Sequence, residues 1–266
     1  MKRFKGKAIY QPSGKAAEYS PWACNFYTGC SNDCEYCYCK RGVMAHVWSN
    51  KPKLKKCFKN DEKYAFEVFE KEMMQNIEQL REKGLFFSFT TDPMLPETSP
   101  LTLVSAIRAT DESVPVKILT KRADFCKTFQ LSHQLINTHL LAIGFTLTGF
   151  DEKEPGASSN LDRINCMKEL HDMGFKTFAS IEPVITPAMS LEMIRATKGF
   201  CDLYLVGLMS GKKIDYESLY IRGFLDSLIK LSYDNKIYLK ESFLNWFGID
   251  KCVGEFVDAD YNIFKL

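Results

Sequence analysis

An incomplete (β/α)6 TIM-type barrel, preceded by an N-terminal arm and extended by a seventh edge strand, is the fold this sequence predicts. Three observations lead there. Short apolar runs recur at Ala23–Tyr27, Leu85–Phe89, Val116–Leu119, Leu140–Leu147, Phe175–Ile181, Leu203–Val206 and Ile237–Leu239, each too short for a helix and rich in residues suited to strands. Amphipathic segments separate them, and strand, helix, strand at this interval means parallel βαβ units of about 30 residues or more. The third observation is size. A chain of 266 residues with 45% hydrophobic content can bury one sizeable core. A complete eight-stranded barrel takes about 250 residues without a long arm, so six units and an edge strand fit better.

Residues 1–22 are basic and broken by Pro12, Gly14 and Pro21, which predicts an extended arm wrapping the barrel edge. Residues 23–266 form the barrel domain. The first strand, Ala23–Tyr27, delivers a cysteine-rich loop from its C-terminal end, the side on which β/α barrels carry their active sites. Five lysines follow at Lys51, Lys53, Lys55, Lys56 and Lys59, a solvated connecting loop or else a patch that contacts phosphates. From Asp61 the pattern turns helical. Phe66, Phe69, Met73, Ile77 and Leu80 recur every three or four residues, and Gly84 is placed to cap the C-terminus. Met73 and Met74 read as core packing. Later helices are predicted over Leu161, Ile164, Met167, Leu170 and Met173, ending at Gly174, and from Asp215 through Leu219, Leu225 and Leu228.

The loop Cys30-Ser-Asn-Asp-Cys34-Glu-Tyr-Cys37 places three thiols in eight residues, with Gly29 just before. Thiols this close cannot all pair with one another, so a shared metal centre is the natural chemistry. A [4Fe–4S] cluster held by three cysteines leaves one iron open to a small ligand. A zinc knuckle is the alternative, with Cys39 or His46 as the fourth ligand. Structural disulfides fit poorly, because the N-terminus shows no signal-peptide pattern. No apolar run approaches the roughly 20 residues of a bilayer span, so a soluble, cytoplasmic protein is expected. Lys plus Arg total 35 against 33 acidic residues, a net charge of +2, so any affinity for nucleic acid must come from a local patch.

The spacing Cys-x3-Cys-x2-Cys, with Tyr36 before the last cysteine, resembles the signature of the radical S-adenosylmethionine (SAM) enzymes. The flanks Asn25-Phe-Tyr-Thr-Gly-Cys30 and Cys37-Tyr-Cys-Lys resemble its spore photoproduct lyase-like branch, also labelled DNA repair photolyase-like. Thr90-Thr-Asp-Pro93, Ile118-Leu-Thr-Lys121, Gly144-Phe-Thr-Leu147, Glu154-Pro-Gly-Ala157 with Arg163, and Ser180-Ile-Glu-Pro-Val184 echo blocks of that branch in the same order, over about residues 15 to 210. The resemblance implies the same (β/α)6 core, a [4Fe–4S] cluster on Cys30, Cys34 and Cys37, and SAM chelated at the open iron. It implies reductive cleavage of SAM to a 5′-deoxyadenosyl radical that abstracts hydrogen from a substrate, with an electron donor such as flavodoxin or ferredoxin. The branch name points to a nucleic-acid substrate. A non-catalytic iron–sulfur electron-transfer or zinc protein is the rival reading, and it needs none of the polar residues at the strand ends.

Those strand ends carry Thr90, Thr91 and Asp92, then Thr120 and Lys121, then Thr146 and Thr148, then Ser180 and Glu182. Under the resemblance Lys121 is the cation for the methionyl carboxylate, while Asp92 and Thr91 receive the ammonium or ribose. Thr90, Thr146, Ser180 and Glu182 complete the cofactor site, and Tyr36 packs on adenine or cluster. Arg163 is expected to pair with Glu154. The other cysteines, 24, 39, 57, 126, 166, 201 and 252, form no second close group, and Cys166 and Cys201 read as small buried hydrophobes. In the branch resembled, a hydrogen-donating cysteine precedes the threonine and acidic residue after the second strand. Here Ser88-Phe-Thr-Thr-Asp92 has no thiol, which leaves Cys39, two residues past the cluster loop, as the candidate donor.

Overall fold

A computed structural model describes residues 3–41, 45–46, 48–127, 129, 137–209, 214–249 and 254–266. Cys252 lies outside these residues. The architecture is mixed α/β around one largely parallel sheet, ordered β1 (Ile9–Tyr10), β2 (Ala23–Cys24), β5 (Leu85–Phe87), β6 (Val116–Thr120), β7 (Leu141–Thr146), β8 (Lys176–Val184), β9 (Leu203–Leu208) and β10 (Ile237–Leu239). From β2 to β10 every neighbouring pair is parallel, and β1 runs antiparallel to β2 at the edge. A separate two-stranded ribbon pairs β3 (Tyr27–Thr28) with β4 (Lys53–Leu54).

Both faces of the large sheet are buried, which is why its strands appear in the sequence as continuous apolar runs rather than alternating ones. One face packs Leu85, Phe87, Ile143, Phe145, Tyr204 and Val206 against the helices. These helices are α1 (Glu62–Gln75), α2 (Ile77–Lys83), α3 (Ser99–Asp111), α4 (Asn160–Asp172), α5 (Pro187–Thr197), α6 (Ile221–Ser232) and α7 (Glu241–Phe247). The other face carries the alternate residues Phe86, Ala142, Phe178, Leu203, Leu205 and Tyr238, covered by Tyr19 from the arm and by Tyr261, Ile263 and Phe264 near the C-terminus. Lys117 belongs to this second face, in register between Phe86 and Ala142. Its ammonium donates to the Tyr19 carbonyl and lies 5.0 Å from the Tyr261 ring centroid.

The arm is pinned at both ends of its course. The buried Glu72 carboxylate accepts from the backbone N–H groups of Lys7, Ala8 and Ile9 at 2.6, 2.9 and 2.8 Å, and β1 then joins the sheet. Asp61 caps α1 by accepting from Tyr64 N, Ser159 caps α4, and Thr186 caps α5 just ahead of Pro187.

Several local expectations change. Ala23–Tyr27 is two strands in different sheets, because the Asn25 side chain turns the chain by donating to Tyr10 Oη and accepting from Phe89 N. The helix expected to run through Leu80 is broken at Asn76, whose side chain instead donates to the Glu72 carbonyl. The helix expected from Asp215 begins at Ile221, after Tyr220 takes a left-handed conformation with φ 56°. Met74 is 48% and Leu161 66% exposed, so neither belongs to the core stripe. Among the five lysines, Lys55 is structural, donating to the Lys7 and Asn25 carbonyls, while Lys51, Lys53, Lys56 and Lys59 are exposed. No helix among the described residues is long and apolar enough to cross a membrane.

Candidate functional site

The cysteine loop leaves β3 through Gly29, which has φ +85° and no room for a Cβ: one would lie 2.5 Å from Lys51 O. Cys30 N then donates to Ser49 O at 3.0 Å. The loop is braced from behind by the connection between β7 and α4. Glu35 N donates to Lys153 O at 2.9 Å and Gly156 N to Asn32 O at 3.0 Å. A Cβ on Gly156 would sit 2.0 Å from Ser31 O, so only glycine allows this approach.

Two buried carboxylates organise the loop. Asp92 Oδ2 accepts from Asn32 Nδ2 at 2.6 Å and from Lys121 N at 2.7 Å, while Oδ1 accepts from Thr120 Oγ1 at 2.6 Å and Met94 N at 2.9 Å. It thereby ties the loop to the ends of β5 and β6, and both oxygens are taken by internal donors. Glu154 accepts from Tyr36 Oη and from the guanidinium of Arg163, a residue with no exposed surface. Arg163 also donates to the Thr146 carbonyl at 2.6 Å, so the expected ion pair anchors the end of β7 as well. The Tyr36 ring is held fixed by its hydroxyl, and Lys121 Nζ lies over it, 5.5 Å from the centroid. Burial alone would lower the Lys121 pKa, but Cys34 and Glu154 nearby raise it above the usual value.

The opposite wall is built from β8, β10 and the arm. Lys240 Nζ donates to Glu182 Oε2 at 2.6 Å, and Tyr19 Oη donates to the same oxygen at 2.7 Å. Ser180 Oγ donates in turn to Tyr19 Oη at 2.7 Å. Burial, then the Glu182 charge, hold the Tyr19 phenol well above its ordinary pKa.

Between these walls lies a cavity of about 440 Å³, within the range of small-molecule and cofactor sites. The structure brings every candidate site residue to it: Cys30, Cys34, Cys37 and Cys39, with Tyr36, Thr90, Thr91, Asp92, Lys121, Thr146, Ser180 and Glu182. Thr148 is buried outside the lining, where its hydroxyl accepts from Phe150 N. Sequence reasoning missed Asn32, Tyr19, Tyr38 and Lys240. Lys240 did carry a signal, since it follows the Ile237–Leu239 run as Lys121 follows β6. Tyr19, in a segment broken by proline and glycine, carried none.

The donor set, three thiols of one short loop, fits an iron–sulfur cluster: Cys30, Cys34 and Cys37 share one wall of the cavity. Zinc needs every donor about 2.3 Å from one point, whereas three cluster thiolates bond three different irons. The Cys39 thiol lies within reach of two acceptors, Phe89 O at 3.5 Å and Cys37. A hydrogen bond from the Cys39 thiol lowers Cys37 to about 6, while burial pushes Cys30 up to about 12. Polar groups also await a ligand. Thr91 Oγ1 and Asn32 Oδ1 are buried without a hydrogen-bond partner among the described residues, and both residues line the cavity.

The class so defined is an α/β protein with a largely parallel sheet and a three-thiol loop facing a cavity at the strand ends. Its particular structural likeness is to spore photoproduct lyase. A structure of that enzyme complexed with dinucleoside spore photoproduct superposes with a TM-score of 0.55 at 15% identity, covering 74% of this chain and 58% of that one. A tyrosine-to-phenylalanine mutant gives 0.57 at 15% identity over 80% and 63%. The chain thus spans about three-fifths of the length of the structures whose fold it shares, and that fold is the one carried by the branch its sequence resembles. An uncharacterized protein of Methanocaldococcus jannaschii is 26% identical over 188 residues, 68% of this chain and 67% of that protein. No family model matches.

Proposed function

We propose that the protein is a spore photoproduct lyase-like radical SAM enzyme, with Cys30, Cys34 and Cys37 holding a [4Fe–4S] cluster in an open barrel of six β/α units edged by β10. The observation that carries this reading is the grouping, on one cavity, of three thiols with an ammonium and two orphaned polar atoms. When bound, such a cluster supplies one electron to the sulfonium of SAM, releasing methionine and a 5′-deoxyadenosyl radical for hydrogen abstraction. The protein's own residues bind, orient and exclude water. Lys121 takes the methionyl carboxylate. Thr91 Oγ1 and Asn32 Oδ1 serve the polar groups of SAM, and Tyr36 is the fixed aromatic face beside the cluster loop. Thr90 and Asp92 act through the backbone and loop they hold, since Thr90 Oγ1 donates to Tyr27 O and Asp92 is saturated. The arm of residues 1–22 contributes Tyr19 to the site of the 23–266 domain.

A flavodoxin or ferredoxin in the cytoplasm is the electron donor that suits this chemistry. One spore photoproduct lyase structure holds AdoMet together with dinucleoside spore photoproduct, which supports a nucleic-acid substrate here. The electron-transfer or zinc alternative would leave Lys121, Thr91 and Asn32 without a task. The deciding experiment is to reconstitute the protein anaerobically with iron and sulfide, reduce it with dithionite, and follow SAM. Slow formation of 5′-deoxyadenosine and methionine without substrate is expected. Its absence from a fully loaded, reduced sample would overturn the reading.

A further inference from the structure

We infer that the far half of the cavity binds an uncharged ring of the substrate, and that the Glu182–Lys240 ion pair sets this preference. The inference rests on the near half being the seat of SAM. The two halves differ in how their charges are used. On the near side the Lys121 ammonium forms no ion pair among the described residues, and Thr91 Oγ1 and Asn32 Oδ1 are orphaned. On the far side the Lys240 ammonium is already shared between two carboxylates, Glu182 at 2.6 Å and Glu18 at 3.6 Å. Lys240 donates to Glu182 at 2.6 Å and lies 4.1 Å from the Tyr19 ring centroid, while Tyr19 Oη and Ser180 Oγ complete the chain of donors to Glu182.

The pairing is built into the sheet. Glu182 and Lys240 belong to β8 and to the residue following β10, on either side of β9, where Gly207 stands between them. A Cβ on Gly207 would lie 2.9 Å from Glu182 Cδ and 2.9 Å from Lys240 Cδ, so the missing side chain is what lets the two meet. Around the pair the lining carries the aromatic and apolar side chains of Tyr19, Tyr38, Phe89, Leu119 and Met209, with Ser13 and the exposed Lys15 of the arm also on the cavity. Phe89 is stiffened by stacking on Phe86 at 4.5 Å. A carboxylate or phosphate entering beside Lys240 would shed its water and meet an ammonium already paired with Glu182 and Glu18, which is costly. An uncharged planar ring meets aromatic surface instead. The charged parts of the substrate therefore stay outside, and the reacting ring enters neutral.

The test uses the reconstituted, SAM-loaded protein and two matched probe pairs, thymine with 5-carboxyuracil and indole with indole-3-carboxylate, titrated calorimetrically. At least one neutral ring should bind ten or more times tighter than its carboxylate. Glu182→Gln, which leaves Lys240 with Glu18 as its one carboxylate among the described residues, should improve carboxylate binding at least fivefold and change neutral-ring binding less than twofold. Should that variant fail to fold, Lys240→Met serves in its place, with 5-aminomethyluracil as the probe whose binding improves. No binding by either neutral ring, equal binding within each pair, or an unchanged ratio in the folded variant would overturn the inference. Dithionite-driven 5′-deoxyadenosine formation, measured in the same samples without any ring, separates the two ideas. Cleavage without ring selectivity sinks this inference alone, and selectivity without cleavage sinks the radical SAM reading.

Discussion

Arg163 and Glu154, buried to 0% and 2% exposure, form an ion pair in which the carboxylate also receives the Tyr36 hydroxyl. The cysteine loop is thus fastened to the core through charge. Removing one partner of a buried pair leaves the other uncompensated, at a cost of about 3–5 kcal/mol. Arg163→Met should lower stability by that order in urea unfolding. A loss under about 1 kcal/mol would show that the pair is not closed in solution.

Replacing Cys30, Cys34 or Cys37 with Ala should abolish the iron and sulfide content of the reconstituted protein. Cys166→Ala and Cys201→Ala should not, because those thiols lie away from the cavity lining. Tightly bound zinc surviving anaerobic purification of the unaltered protein would contradict the cluster assignment.

Burial lowers Lys117 from 10.5 to about 7. Between those values the unfolded chain binds more protons at this site than the folded one, so stability gains a contribution that grows as pH rises, by at most about 1.4 kcal/mol per unit. Below about pH 7 the full cost of burial remains. Urea titrations at pH 7, 8 and 9 should show a steeper rise for the natural protein than for Lys117→Met. Identical slopes would mean that its contact with the Tyr19 carbonyl keeps the ammonium charged.

No thiol stands in Ser88–Asp92, and an O–H bond is far stronger than S–H, so Thr90 and Thr91 are poor hydrogen donors. Oligonucleotides bearing the spore photoproduct should therefore not be repaired with multiple turnovers by the reduced protein, whether followed as repair or as 5′-deoxyadenosine. Cys39 does line the cavity. Efficient repair that disappears in Cys39→Ala would refute the expectation and identify the donor.

Much of the fold was legible because burial on two faces writes a strand as an unbroken apolar run. Each of the seven runs overlaps a strand of the large sheet, and Ile237–Leu239 coincides with one end to end. Cavity residues that follow strands could be found by the same logic, as Lys121 and Asp92 show. The opposite wall was not legible. Glu182 and Lys240 are 58 residues apart in sequence and meet only because Gly207 lacks a side chain, a relation that no local pattern records. Helix starts failed where one residue decides them, as at Tyr220, and Leu161 fits the period of its helix but faces solvent because Asn160 and Arg163 take the buried side.

The inner face of the sheet is covered by residues from both ends of the chain, Tyr19 near one and Tyr261 and Ile263 near the other. This imposes an order on biosynthesis. Strands can pair one after another as they leave the ribosome, but Tyr19 gains its contact with Tyr261 only when the segment carrying Tyr261 has emerged. Until then Phe86, Ala142 and Phe178 lack part of their cover, and the nascent barrel presents a sticky interior to its surroundings. Assembly of the proposed cluster is thus best deferred until Tyr261 has docked, when the wall facing the thiols has been set.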